Sequence, residues 1–229
     1  MCGCRGPGTA LGSLFMRVTF HGELVQLREQ LVAMCAMAAQ AMRQASRALL
    51  MADLDLAERV IAGDAALDQA RGGCEDHAQS LLALQAPVAS DLRSILAAVY
   101  SAEKIERMGD LAAHIADTAR FSHPDHAVPA DLEDTFARLG EIAAGMADRL
   151  GELIGQPGVD GFAELDETDH AVDALHSRVL TTITGPGWPY GVRTATSLAL
   201  LARFHERFAD QAVSVAKRLD FAATGEFPA

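Results

Sequence analysis

The 229-residue chain carries 31 acidic against 19 basic residues, and a formal net charge of −12 leaves no basic surplus to neutralise a nucleic-acid backbone. Half of the residues are hydrophobic but only 5% are aromatic; the Ala- and Leu-rich composition favours close helix packing over β-sandwich cores. Cys2, Cys4, Cys35 and Cys74 lack zinc-site spacing and are too few to staple a fold of this size, so a reducing cytosol is expected and Cys2-Gly3-Cys4 receives no role.

Residues 1–15 lack the apolar core of a secretory signal, and no stretch approaches the ~18 apolar residues of a membrane span. They are expected to be a disordered or non-native leader, with Met16 as the natural start. From about Val18 to Ala52, apolar residues such as Leu24, Leu27, Leu31, Met34 and Leu49 recur at helical spacing and predict a first long helix. A break near Asp53 precedes a second helix that persists through Gly63, Gly72 and Gly73, each costing roughly 1 kcal/mol relative to Ala. Ala86-Pro87 ends it, because a residue before proline avoids helical backbone angles. A third helix is predicted from Val88 to about Phe121. The breaker SHPDHAVP at 122–129 is the candidate boundary between a first unit, 16–123, and a second, 124–229. Helices four to six are predicted at about Asp131–Ile154, Gly161–Ile183 and Val192–Ala223, giving an all-α fold.

The two halves repeat. At an offset of about 100 residues, Glu106, Arg107 and Asp110 fall on Glu206, Arg207 and Asp210, and Arg93 falls on Arg193. In the preceding helix of each half, Asp64 and Asp68 fall on Asp169 and Asp173. Two tandem antiparallel three-helix bundles related by an internal repeat are the simplest account.

Residues i and i+4 share a helix face, so each of these four pairs sets two carboxylates side by side, at a cost of a few tenths of a kcal/mol in an isolated helix. A hard or borderline cation held by oxygen ligands would offset that repulsion, whereas a solvated acidic face would leave it to water and to Arg107 or Arg207. Glu103 and Asp117 extend the stripe of the third helix, but Arg203 and Lys217 stand at the equivalent places in the sixth. His114, His170 and His205 neighbour the acidic pairs without being repeated, and are expected to be partly exposed bystanders. Glu167-x-x-His170 matches half of a di-iron carboxylate motif only once, and no Gly-rich phosphate loop, Gly-x-Ser-x-Gly or Cys/His nucleophile arrangement occurs. The residues therefore give no positive sign of catalysis.

The segments RVIAGDAALD (59–68), ALQAPVASDLR (83–93), IERMGDLAAHIA (105–116) and HERFADQA (205–212) resemble the recurring segments of PhoU proteins, in order and over most of the chain. The resemblance implies a non-enzymatic regulator that binds metal through Asp64, Asp68, Glu106, Asp110, Asp169, Asp173, Glu206 and Asp210. The metal would be iron, zinc, manganese or magnesium. The implied partners are the ATPase subunit of a phosphate ABC importer, a phosphate-sensing histidine kinase and a second copy of the chain, with no direct contact to nucleic acid. The implied location is the cytoplasm, with recruitment to the inner membrane face, and the implied role is repression of the phosphate-starvation response. Gly109 becomes Ala209 in the second copy, and the turn GPGWPYGVR lacks the Ser-Asp of the first, so the first half is expected to bind metal better. Two alternatives stand beside this reading: a helical adaptor without functional metal, and a carboxylate-bridged metalloenzyme.

Overall fold

The computed structural model describes residues 8–85, 87–156 and 161–226. These form six helices: α1 (Gly8–Met51), α2 (Leu54–Gln85), α3 (Ala89–Ser122), α4 (Ala130–Gly155), α5 (Gly161–Thr184) and α6 (Gly191–Thr224). Five of the six match the sequence reading to within a few residues. The first does not, because α1 starts at Gly8 and takes in residues assigned to the leader. Gly8–Phe15 contain no proline, and Ala10, Leu11 and Leu14 favour helix enough to extend one already nucleated downstream despite Gly12. Cys2 and Cys4 lie outside the described residues.

Local chemistry sets the breaks. Between α1 and α2, Ala52 takes a left-handed φ of 49°, and the Asp53 side chain accepts a hydrogen bond from the Leu56 N–H at 2.9 Å, capping α2. At the far end of the chain, Gly225 adopts φ 84° and its N–H bonds the Phe221 carbonyl at 2.8 Å, ending α6 as left-handed glycine caps do. The Tyr190 hydroxyl donates to Asp131 Oδ1 at 2.7 Å and ties the α5–α6 turn to the start of α4.

Packing is lateral as well as sequential. Within the first half α2 rests on α1 and α3; within the second α5 rests on α4 and α6. The halves then join through α1 against α4 and α3 against α6, so that α1, α3, α6 and α4 close a ring with α2 and α5 on its flanks. One continuous hydrophobic cluster runs through both halves. Alanines on α1 (Ala38, Ala39, Ala45, Ala48) and α4 (Ala143, Ala144, Ala147) lie in that cluster and allow close approach, while Phe136 and Phe208 fill volume. Among the described residues no helix is long and apolar enough to cross a membrane.

Candidate metal centres

Each half places its four repeated carboxylates on adjacent helices, α2 with α3 and α5 with α6. In the first half, Asp64 has its carboxyl raised above the usual range by burial and then by Asp110 and Asp68, with His114 acting in the opposite direction. Burial raises Glu106 as well, followed by Asp110, with Asp68 and Asp64 adding to it against Arg71. Four negative groups thus feel one another across the α2–α3 seam. Arg71 bonds Asp68 at 2.7 Å and Glu75 at 2.8 Å, and Arg107 bonds Asp110 at 2.5 Å, so two of the four already hold a guanidinium.

The second half is more strongly desolvated. Burial, then Asp210, Asp173, Glu206 and Asp166 push Asp169 up to about 6. Glu206 and Asp210 are raised mainly by burial, against the opposing pull of Arg203 and Arg207. Glu206 is only 7% exposed and pairs with Arg203 through Oε1. Its other oxygen, Oε2, and Asp169 Oδ1 are buried without a hydrogen-bond partner among the described residues. An unpaired buried carboxylate oxygen is costly, and protonation or a bound cation would offset that cost.

Among the described residues no three Asp, Glu, His or Cys side chains converge as a ready ligand group. The carboxylates are gathered on facing helices, but arginines hold Asp68, Asp110 and Glu206. Donor chemistry and desolvation nonetheless suit a hard cation in both halves, and the unpartnered buried oxygens lie in the second.

His205 departs from the expectation of a partly exposed bystander. It is fully buried, its Nδ1 bonds the Leu201 carbonyl at 2.8 Å, and its Nε2 has no partner among the described residues. Phe136 packs on the ring edge and desolvation holds its pKa down to about 4. The repeat carried the signal: its counterpart is Ile105, itself buried. His114, by contrast, is exposed, bonds the Asp110 carbonyl at 2.6 Å and lies tilted against the ring of Phe204 of α6, and His170 is exposed.

The PhoU domain family model matches residues 31–119 and 136–219, one stretch in each half. The chain belongs to the PhoU family. It is 43% identical over 213 residues to the phosphate-specific transport system accessory protein PhoU homolog 2 of Mycobacterium tuberculosis, an alignment covering 93% of this chain and 100% of that protein. PhoU homolog 1 of Mycobacterium leprae is also 43% identical, over 93% of this chain and 96% of that protein. The crystal structure of PhoU from Streptococcus pneumoniae superposes with a TM-score of 0.82 at 24% identity, covering 92% of this chain and 99% of that one. PhoU from Pseudomonas aeruginosa gives 0.79 at 23% identity, covering 90% and 100%. These two likenesses establish the PhoU fold.

Proposed function

We propose that this PhoU-family chain is a non-enzymatic accessory and regulatory protein of phosphate-specific transport, acting as a metal-dependent adaptor. The observation that carries the reading is end-to-end similarity to relatives named as phosphate-specific transport accessory proteins. In this reading the adaptor works in the cytoplasm as a homodimer. It meets the importer's ATPase subunit and a phosphate-sensing histidine kinase at the membrane face, and keeps phosphate-starvation genes off when phosphate is ample.

Asp64, Asp68, Glu106 and Asp110 would hold cation in the first half, and Asp169, Asp173, Glu206 and Asp210 in the second. Bound there, iron, zinc, manganese or magnesium would supply positive charge to offset the carboxylate repulsion. The chain's own part is to hold the carboxylates on facing helices, to shield them partly from water, and to offer Arg71, Arg107 and Arg203 as competing cations.

Deletion of the gene tests the regulatory role. Phosphate-regulated genes should become active at high phosphate, and their continued repression would sink the assignment. Metal analysis of gently purified protein, beside Glu206→Ala and Asp169→Ala, tests the metal. Absence of any metal dependence in stability or partner binding would leave the plain helical adaptor in its place.

A further inference from the structure

Where the ring of α1, α3, α6 and α4 ends beside the start of α5, small side chains leave a cavity of about 190 Å³. Its wall is apolar: Leu27 and Leu31 of α1, Ala98 of α3, Ile154 of α4, Phe162 of α5 and Leu219 of α6 all face it. The acidic clusters contribute nothing to this wall. An apolar engineered cavity of about 150 Å³ holds benzene, so the volume here suits a short hydrocarbon chain.

The polar groups around the cavity define its sign. Arg28 lines it, is exposed, and makes no ion pair or hydrogen bond among the described residues. Lys217 stands 5.6 Å from the centre of the Phe162 ring. Ser94 donates its hydroxyl to the Ser90 carbonyl, and Asp220, the acid among the lining residues, is engaged in an interaction of its own. An uncommitted guanidinium in a chain of net charge −12 is the place where an anionic head group would settle with least competition. We propose that this cavity binds a small free anionic amphiphile, a monocarboxylate of roughly six to ten carbons, with its chain among the leucines and its carboxylate on Arg28.

Calorimetric titration of the whole chain with hexanoate, octanoate, octanol and inorganic phosphate tests this. Octanoate should saturate at one site, with affinity rising about fourfold per added methylene from hexanoate, while phosphate gives no heat. Arg28→Gln should weaken octanoate about fivefold and leave octanol unchanged, because a rim charge contributes modestly. Ala98→Met, which fills the cavity, should abolish both. If that variant does not fold, the exposed Arg28→Gln variant still decides. No saturable binding of octanoate, equal binding by Arg28→Gln, or capture by anionic lipid vesicles without binding of free octanoate would each overturn the proposal.

Discussion

A Cβ on Gly109 would lie 2.4 Å from Leu67 Cδ2 and 3.4 Å from Asp64 Oδ1, so the bare α3 backbone between Arg107 and Asp110 is what admits Leu67 of α2. The contact sits inside the first acidic cluster and helps bring its two carboxylate pairs onto one seam. Gly109→Ala gains about 1 kcal/mol of helix propensity but overpacks a site where Leu67 is only 3% exposed, at roughly 1–3 kcal/mol. A net loss of about 1 kcal/mol in urea unfolding is expected. Combined with Leu67→Ala, the loss should be smaller than the sum of the two single changes, since the smaller side chain removes the clash. A Gly109→Ala protein more stable than the parent would contradict this packing.

Gly140 poses a harder constraint at the junction of the halves. A Cβ there would stand 2.2 Å from Ser46 Oγ and 2.7 Å from Ser46 Cβ. A serine Cβ is fixed to its backbone, so no rotamer change removes the overlap and α1 must move away from α4. Gly140→Ala is therefore expected to cost about 2–3 kcal/mol, more than Gly109→Ala. Gly72, where an added Cβ meets nothing within 4 Å, gives the control: Gly72→Ala should stabilise by about 1 kcal/mol. Chemical denaturation of the three variants in one buffer checks the order.

The helices and the acidic pairs were legible in the sequence for the same reason. Both are periodic along one chain segment, and the repeat showed each pair twice. The ring of α1, α3, α6 and α4 was not legible, because Ala38 or Ala143 facing another helix has the same local pattern whichever helix it faces. For the same reason the orphaned oxygens of Asp169 and Glu206 could not be read, since burial depends on how α5 seats on α6. The expectation of a better first-half site rested on Gly109 and on turn residues, which are local features. The stronger desolvation of Asp169 and Glu206 is a tertiary feature. His205 was misplaced because histidine beside an acidic pair suggests surface chemistry, whereas its neighbours in space are Phe136 of α4 and the core.

His205 makes a pH prediction with a definite sign. Its folded pKa of about 4 lies below the ordinary 6.5, so between these values the unfolded chain binds the extra proton. Stability from this group is complete above about 6.5 and is lost as pH falls toward 4. His205→Leu removes the titration along with an unpartnered buried nitrogen, and should be neutral to about 1 kcal/mol stabilising at pH 7.5. Its advantage over the parent should widen at pH 5. Thermal melts of both proteins at the two pH values check it, and a constant difference would remove the buried neutral histidine as the cause.

Asp169 has the opposite sign. Its folded pKa of about 6 lies above the ordinary 3.8, so the folded chain holds the extra proton between these values and stability declines as pH rises through about 6. Without metal, Asp169→Asn should match the parent near pH 4 and exceed it at pH 7.5 by about 1 kcal/mol, a figure reduced for the solvent screening of a half-exposed group. Saturating manganese or magnesium should reverse that order at pH 7.5, because only the parent retains the carboxylate that rewards a bound cation. A cation at 100 times its dissociation constant adds about 2.7 kcal/mol to the protein that binds it. Melting temperatures of the two proteins, with chelator and with each metal, measure both effects together. If the asparagine variant gained as much from metal as the parent, Asp169 would not be a ligand, and the orphaned oxygen would be a structural cost that the fold tolerates.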